Sequence, residues 1–252
     1  MDIDSYRLVS NPAALERAGL FVAEGRLIVE RLLQRAGLRV HSVVVTPPAA
    51  QALKPIFDQR PDVPVHVCEP RRLEAITGFD FHRGCLALAW RPAQMQSLEH
   101  LTEARRLLAL EGVGNPDNVG GLFRTAFALG VDAVLLDGAT GDPLYRKAIR
   151  TSMGATLQVP FVRLTSWTDG LATLRSHGFR IVALTPHPDA VPTRDVAIGA
   201  DERLAIVVGS EGYGLTAGTF AHANLRVRIP VDPRADSLNV VVAAGIVLHA
   251  LS

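Results

Sequence analysis

Short runs of consecutive apolar residues recur along the second half of the chain, and a segment with helical periodicity follows most of them. A strand that is apolar at every position is buried on both faces, which is typical of parallel sheets. The alternation therefore predicts a mostly parallel sheet with helices on both faces. The predicted strands are Arg106 to Leu110, Ala133 to Leu136, Val159 to Val162, Ile181 to Leu184, Leu204 to Val208 and Leu225 to Ile229, and the predicted helices are Val119 to Leu129, Trp167 to His177 and Leu238 to Leu251.

The first ninety residues repeat this alternation on a smaller scale and predict a separate, small α/β domain. Residues 91–97 (RPAQMQS) have no periodicity and predict a linker. We expect a first domain at 1–93, a connection at 94–104 and a second domain at 105–252. The predicted strands of the first domain are Leu20 to Ala23, Val40 to Val45, Val63 to Val67 and Cys85 to Ala89, and its helices are Arg26 to Ala36, Ala49 to Phe57 and one that begins at Pro70.

Composition limits the class of protein further. Hydrophobic residues make up 48% of the 252 residues, which is ample for one or two cores. The longest apolar stretch is interrupted by Asn239 and His249 and falls short of the roughly 20 residues that span a bilayer. The N-terminus has early acidic residues and no apolar signal region, so we expect a cytoplasmic protein without a membrane segment. Cys68 and Cys85 lack disulfide or metal-ligand spacing, so we expect buried thiols and no metal.

The formal net charge is +1, and neither half of the chain is strongly basic. Proteins that bind nucleic acids usually carry a basic excess, so any contact with RNA must come from local patches. Common nucleotide signatures are also missing. Asp117 stands where the third glycine of a dinucleotide fingerprint belongs, and no Walker-type, zinc-protease or serine-hydrolase motif occurs. The sequence thus gives no support to a Rossmann dehydrogenase, a P-loop nucleotidase or either class of hydrolase.

Two segments combine turn residues with polar side chains at the carboxyl edge of the predicted sheet. In residues 115–126 (NPDNVGGLFRTA), Asn118 is a plausible helix cap and Arg124 lies in the second turn. In residues 207–215 (VVGSEGYGL), three glycines surround the lone carboxylate of Glu211, which suits a backbone folded tightly against a ligand. Both segments also have a purely structural explanation. The first is explained as a capped helix with a surface arginine, and the second as a glycine-rich turn with a solvated glutamate.

A third segment, residues 229–239, reads Ile-Pro-Val-Asp and later Ser237-Leu238-Asn239 before the apolar last helix. Ser237 also fits the role of an N-cap, and Asn239 that of a core amide with its hydrogen bonds satisfied. Each segment by itself is therefore ambiguous. Their order and spacing carry more information than any one of them.

Together the three segments resemble the motifs of the SpoU (TrmH) family of RNA 2′-O-ribose methyltransferases, over residues 107–252. Residues 145–155 (YRKAIRTSMGA) resemble the Arg-x-Ser-x-Gly-Ala region of that family. Phe21 to Gly25 and His82-Arg83-Gly84 resemble, more loosely, the ribosomal-protein-like RNA-binding domain that many members carry. In this chain His82-Arg83-Gly84 stands where glutamine often precedes the glycine.

The resemblance implies an α/β fold of the SPOUT class, in which the C-terminal segment threads through a loop to form a deep trefoil knot. It also implies a small ribosomal-protein-like α/β domain that binds RNA, and S-adenosylmethionine as the methyl donor. The residues implied around the donor are Thr185, Gly209, Ile229 and Leu238, and those of the catalytic cluster are Asn118, Arg124, Glu211, Ser237 and Asn239.

The acceptor hydroxyl must lose a proton, and an arginine with a pKa above about 12 rarely serves as the base. We therefore expect Arg124 to stabilise the developing alkoxide while Asn118 and Glu211 hold its guanidinium. Cys68 and Cys85 both fall in the first domain, so the thiolate chemistry of carbon methylation has no candidate in the cluster. Methylation of a base nitrogen stays open on spacing alone.

The implied partners are RNA and a second copy of the chain. Ribosomal RNA is favoured over transfer RNA, and Arg146, Lys147 and Arg150 share a helical arc that suits a phosphate backbone, although a solvated basic face explains them too. The last helix is apolar on nearly all sides, which predicts a homodimer. The alternatives are a non-catalytic RNA-binding protein with the same fold and an enzyme acting on a small nucleotide. Intact Arg124, Glu211, Ser237 and Asn239 disfavour the first, and the N-terminal domain disfavours the second.

Overall fold

A computed structural model describes residues 3–78, 84–92, 98–101, 103–199 and 201–251 of the chain, without the side chains of 99 and 100. The described residues of 1–93 and 143–158 form one compact unit, the first unit, and those of 94–142 and 159–252 form the second unit. Residues 143–158 therefore belong to the first unit although they lie within the second half of the chain. His82, Arg83 and residues 94–97 and 102 of the expected connection lie outside the described residues.

The strands and helices alternate along most of the described chain. The strands are β1 (Leu20–Glu24), β2 (Val40–Val45), β3 (Val65–Val67), β4 (Cys85–Trp90), β5 (Arg106–Glu111), β6 (Ala133–Leu136), β7 (Phe161–Arg163), β8 (Phe179–Leu184), β9 (Val191–Pro192), β10 (Arg203–Gly209) and β11 (Leu225–Arg228). The helices are α1 (Pro12–Arg17), α2 (Arg26–Gln34), α3 (Pro47–Gln59), α4 (Pro70–Thr77), α5 (Pro116–Ala128), α6 (Arg146–Thr151), α7 (Trp167–Ser176), α8 (Ala217–His222) and α9 (Val240–Ala250).

Every strand and helix predicted from the apolar runs is present, with bounds shifted by a few residues at most. Helix α5 is followed by Gly130, which has a φ of +69°, the left-handed conformation that ends many helices. The sequence analysis did not predict the short elements α1, α8 and β9. Each has six residues or fewer, too short for a periodic pattern to identify it.

The first unit contains a mixed four-stranded sheet in the order β1-β4-β2-β3. Strand β4 lies antiparallel to both β1 and β2, whereas β3 lies parallel to β2. Strand β1 is buried at all of its positions, and Tyr6 and Leu73 belong to the apolar cluster that packs against the sheet. Helix α6, from the later part of the chain, contacts β1 within this unit.

The second unit contains a seven-stranded sheet, within its described residues, in the order β7-β6-β5-β10-β8-β11-β9. All neighbouring strands are parallel, as the continuous apolar runs predict. Strand β10 forms the centre and pairs with β5 on one side and β8 on the other. Because all strands run the same way, the loops that follow β5, β8, β10 and β11 meet at one edge of the sheet, where α/β proteins bind their ligands.

Helices α5 and α9 pack against each other in the second unit, at a point where α5 has no side chain. A Cβ atom on Gly121 would lie 2.7 Å from Cγ2 of Val241, so only glycine permits this approach. Helix α9 begins at Val240, two residues after the predicted start at Leu238, because Asn239 is its N-cap. No helix in the described part of the chain is long and apolar enough to span a membrane.

Candidate active site

The carboxyl ends of β5 and β10 lie side by side at the centre of the second unit. Gly209, the last residue of β10, pairs with Glu111, the last residue of β5. The loop after β10 begins at Gly209 and closes on itself at once, with an isolated bridge between Ser210 and Gly214. This central pair of strand ends therefore positions the glycine-rich segment of the sequence.

The glycine-rich loop is tightly built, and two of its glycines are required by its geometry. A Cβ on Gly209 would lie 2.4 Å from the carbonyl carbon and oxygen of Gly214. The Gly214 amide donates to the Ser210 carbonyl at 3.0 Å, and Gly214 itself has a φ of +66°. The Tyr213 amide donates to Ser210 Oγ at 3.1 Å. The backbone of the loop is thus fixed by contacts within the loop itself.

A buried carboxylate braces this loop from behind. Glu111 is only 5% exposed, and its carboxylate accepts hydrogen bonds from the Thr216 amide at 3.1 Å and the Thr216 hydroxyl at 2.7 Å. The Thr219 hydroxyl donates to the same carboxylate at 2.9 Å and accepts from Trp167 Nε1 at 2.8 Å. Glu111 therefore ties the end of β5 to the start of α8, directly after the loop.

Glu111 is a residue of the site that no sequence motif predicted. The available signal was an acidic residue at the end of an otherwise apolar strand, where a carboxylate is rarely buried without partners. Its partners, Thr216 and Thr219, are 105 and 108 positions away in the sequence. Only the fold brings them together.

One amide side chain joins all three sequence motifs. Asn239 Nδ2 donates to Asn118 Oδ1 at 3.1 Å and to Glu211 Oε1 at 2.7 Å. Its Oδ1 accepts from the Val241 amide at 3.0 Å and so caps helix α9. Both amide hydrogens and the carbonyl oxygen of Asn239 are therefore used, each by a different segment of the site.

The caps of α5 and α9 differ from those considered in the sequence analysis. Asn115 caps α5, because its side chain accepts from the Asp117 amide at 2.9 Å, so the prediction that Asn118 is the cap is wrong. Asn118 lies inside the helix, is 8% exposed and bonds to Asn239. The alternative of Ser237 as the cap of α9 is also wrong, since Asn239 fills that position. Because Asn115 caps α5, the Asn118 side chain is available to bond to Asn239.

Arg124 lies six positions after Asn118 on α5, which places it about 120° around the helix. Its side chain is exposed and, among the described residues, forms no hydrogen bond or ion pair. The expected contact of Arg124 with Asn118 and Glu211 is thus not formed, because these two residues accept the Asn239 amide instead. The guanidinium remains available to a bound molecule.

A cavity of about 800 Å³ opens beside the glycine-rich loop. Its volume lies within the range of about 300–1,000 Å³ that small-molecule sites occupy. The loop, the end of β8 and the segment between β11 and α9 form its walls, which combine backbone with apolar side chains. Among the residues that line it are all four predicted around the methyl donor and two of the predicted catalytic cluster, namely Thr185, Gly209, Ile229, Leu238, Glu211 and Ser237.

Three residues were predicted to contact RNA, namely Arg146, Lys147 and Arg150. They lie on α6 in the first unit, whereas the residues that line the cavity belong to the second unit. Arg146 Nε is 3.5 Å from Oε2 of Glu24, a buried carboxylate at the end of β1. This ion pair neutralises part of the positive charge that the sequence assigns to the α6 surface. Arg146 thus has a structural partner in addition to any partner from solution.

Both cysteines lie in the first unit and are buried. Burial raises the pKa of the Cys85 thiol to about 12, so this thiol stays protonated near neutrality. Neither cysteine takes part in the site of the second unit. Across the described ranges, no cluster of three or more His, Cys, Asp or Glu side chains is arranged to hold a metal ion.

Comparison with known proteins gives a consistent result. The SpoU rRNA Methylase family matches residues 105–249. An uncharacterized tRNA/rRNA methyltransferase of Mycobacterium tuberculosis is 38% identical over 237 residues, which cover 91% of this chain and 80% of that protein. The 23S rRNA (guanosine(2553)-2′-O)-methyltransferase RlmP of Bacillus subtilis is 28% identical over 237 residues, covering 93% and 89%. The AdoMet-bound rRNA methyltransferase of Sinorhizobium meliloti superposes with a TM-score of 0.79 at 25% identity, over 98% of this chain and 92% of that one.

The brace formed by Glu111 leads to a prediction about stability. Glu111→Ala leaves the buried Thr219 hydroxyl without its acceptor, and a buried group left unsatisfied costs about 1–3 kcal/mol. The two donors of Thr216, which is exposed, can bond to water instead. We expect the free energy of unfolding in urea to fall by about 1–3 kcal/mol. Glu111→Gln keeps one acceptor oxygen and should lose less.

The matched control is Glu202→Ala, which removes an exposed carboxylate that pairs with Arg180 at 3.2 Å. Exposed ion pairs contribute about 0–1 kcal/mol, so this variant should unfold almost as the parent does. Equal losses of stability in Glu111→Ala and Glu202→Ala would show that the buried carboxylate does not brace the loop.

Proposed function

The chain belongs to the SpoU rRNA methylase family, and from this premise we propose that it transfers the methyl group of S-adenosylmethionine to the ribose 2′-hydroxyl of an RNA nucleotide. The observation that carries the proposal is the junction at Asn239, which joins Asn118 and Glu211 beside a cavity of ligand size. Relatives with this activity include a 2′-O-methyltransferase of 23S rRNA.

The cavity fits the methyl donor. Its apolar side chains Ile229 and Leu238 suit a nucleoside ring, and the backbone around Gly209 offers polar groups where no side chain intervenes. S-adenosylmethionine supplies a methyl group on a sulfonium sulfur, which becomes a neutral thioether when the methyl group leaves. We assign Thr185, Gly209, Ile229 and Leu238 to binding this donor.

On the acceptor side, we assign the electrostatic role to Arg124. The 2′-oxygen gains negative charge as its proton passes to solvent and loses that charge as its bond to the methyl carbon forms, and a guanidinium that is not engaged elsewhere can stabilise the charge in between. Glu211, Asn118 and Asn239 act as one hydrogen-bonded group that fixes the loop and the start of α9. Ser237, exposed at the wall of the cavity, is free to bond to the acceptor ribose. Holding the oxygen in line with the methyl group contributes much of the acceleration.

We propose that the first unit recruits the RNA, with the α6 residues Lys147 and Arg150 among its contacts and Arg146 shared with Glu24. Ribosomal RNA is the favoured acceptor, because the 28% identical relative acts on 23S rRNA, and transfer RNA is the second choice. We expect the reaction in the cytoplasm, where both RNAs are present. We also propose that residues 1–93 form a domain similar to a ribosomal protein, that 94–104 connect it, and that 105–252 form the methyltransferase domain, of which 143–158 are counted with the first unit by their contacts.

We further propose that the C-terminal segment forms the trefoil knot of the SPOUT fold. Strand β11 lies on the β8 side of β10, whereas α9 packs against α5, the helix that follows β5 on the other side. The chain between β11 and α9 therefore crosses the carboxyl end of β10, where the glycine-rich loop stands. Threading of the segment through that loop completes the knot.

The reaction is tested by the transfer of labelled methyl groups to RNA. Incubation with radiolabelled S-adenosylmethionine and total RNA that lacks the modification should label one RNA species, and nuclease mapping should give the nucleotide. A synthetic RNA with a single 2′-deoxynucleotide at that position should bind almost equally but accept no methyl group, because only one hydroxyl is missing. The matched ribose RNA is the control. Transfer to the deoxynucleotide would mean that a base atom is the acceptor.

Arg124→Lys tests the role of the guanidinium. Lysine keeps the charge but loses the planar fork, so we expect kcat/KM to fall by about 100-fold or more while the affinity for the donor stays unchanged. Arg175→Lys, which alters an exposed arginine of α7, is the control and should retain full activity. Full activity of Arg124→Lys with a flat pH profile near neutrality would contradict the assignment.

We propose a homodimer formed through α9. Val242 and Ile246 lie one turn apart on this helix and are 51% and 39% exposed, although both are large and apolar. Light scattering at micromolar concentration should give twice the mass of the chain, and Val242→Lys with Ile246→Lys should give monomers. Ala250→Lys, at the exposed end of the same helix, should remain dimeric. A parent protein that is monomeric and still active would contradict the dimer.

A further inference from the structure

The tyrosine in the glycine-rich loop is almost completely exposed. Tyr213 is 98% exposed, whereas the other exposed large apolar side chains among the described residues range from 38% to 56%. A large aromatic ring left in water forgoes the free energy of burial. Such a ring on a loop beside a ligand cavity is typical of a contact made with a partner molecule.

The backbone that carries this ring is nonetheless fixed. The Tyr213 amide donates to Ser210 Oγ at 3.1 Å, and the next amide, that of Gly214, donates to the Ser210 carbonyl at 3.0 Å. Gly209 closes the loop at a distance that excludes any side chain. Because the backbone is already ordered, binding through this ring restricts only two side-chain torsions, which keeps the entropy cost low.

The position of the ring relates it to the acceptor. Tyr213 lines the same cavity as Ser237 and follows Glu211 by two residues. A ring that is 98% exposed stands at the open side of the cavity and does not form an inner wall. The acceptor nucleotide must approach from this open side when the donor occupies the cavity.

The chemistry of the loop favours a base as the contact. The phenol ring is neutral, and the nearby Glu211 carboxylate is exposed and disfavours a phosphate group at this point. Every base presents a π-face, and unpaired bases of RNA are commonly held by stacking on aromatic side chains. A base held in this way fixes the position of its own ribose relative to the methyl donor.

Resting on the proposed function, we propose that Tyr213 stacks on the base of the nucleotide that is methylated and so positions its 2′-hydroxyl. Tyr213 is thus a positioning residue for the acceptor with no part in binding the donor. Since stacking accepts any base, the identity of the nucleotide is read elsewhere on the RNA.

The test couples the ring to the base in a double-mutant cycle. Tyr213→Ala and Tyr213→Phe are compared with the parent, each with a short synthetic RNA spanning the mapped nucleotide and with the same RNA lacking only the target base. Binding is measured in the presence of S-adenosylhomocysteine, and kcat/KM is measured with S-adenosylmethionine. Tyr213→Leu, which keeps apolar bulk but has no aromatic face, is the matched control.

With the intact RNA, we expect Tyr213→Ala to weaken RNA binding and kcat/KM by about 5- to 150-fold, the range that alanine substitution of stacking aromatic residues gives. Tyr213→Phe should stay close to the parent, and Tyr213→Leu should resemble Tyr213→Ala. With the abasic RNA, all four proteins should bind about equally, because the partner of the ring is gone. The affinity for S-adenosylmethionine and the oligomeric state should not change.

Three results would overturn the proposal. Equal losses with intact and abasic RNA would mean that the ring contacts another part of the RNA. A weaker affinity for S-adenosylmethionine in Tyr213→Ala would assign the ring to the donor, and a change in mass by light scattering would assign it to a second copy of the chain. If the parent protein methylates no RNA, the proposed function itself fails, and the role of Tyr213 fails with it.

Discussion

The hydrogen bonds of the Asn239 amide are the constraint on which the site depends. They connect segments that are 121 and 28 positions apart in the sequence, and the same side chain caps α9. One of its partners is a carboxylate, and hydrogen bonds to charged groups are stronger than those between neutral groups. The other partner, Asn118 Oδ1, belongs to a buried side chain. Removing the Asn239 amide would leave this oxygen without a donor, at a cost of about 1–3 kcal/mol in the free energy of unfolding. Helix position, loop position and polar chemistry are thus coupled through a single residue.

The second unit separates rigid support from exposed reactive groups. Behind the glycine-rich loop, Glu111 is buried among hydroxyl and amide donors that position α8. By contrast, Tyr213 on the loop and Arg124 on α5 are exposed, and neither side chain is held by the described part of the chain. A substrate-binding edge needs side chains that a ligand can engage, and it needs a backbone that does not move when they are engaged. This arrangement meets both needs within the second unit.

The sequence predicted the strands and helices well because buried parallel strands leave continuous apolar runs of strand length, and the longer segments between them keep a helical period. It failed at the caps. Asn115 and Asn118 are both suitable caps by residue type, and only the backbone decides that the first is used. The pairing of Glu111 with Thr216 and Thr219 was not predictable from local patterns, since it depends on the order of the strands. The residues around the cavity were predicted only from the family resemblance, because nothing in the spacing of Gly209 and Ile229 indicates that they line the same site.

The central place of β10 has a consequence for the synthesis of the chain. Strand β5 can pair with β6 early, because the paired residues Leu107 and Ala133 are close in sequence. Its other edge pairs with β10, where Leu204 is the partner of Arg106 and lies about 100 residues later in the chain. Pairings this distant in sequence form slowly. Until residue 209 has left the ribosome, β5 carries an unpaired apolar edge, a surface that invites aggregation and chaperone binding. The middle strand of the sheet is inserted late, and the cavity is completed later still, because the segment between β11 and α9 that forms one of its walls follows β10 in the chain.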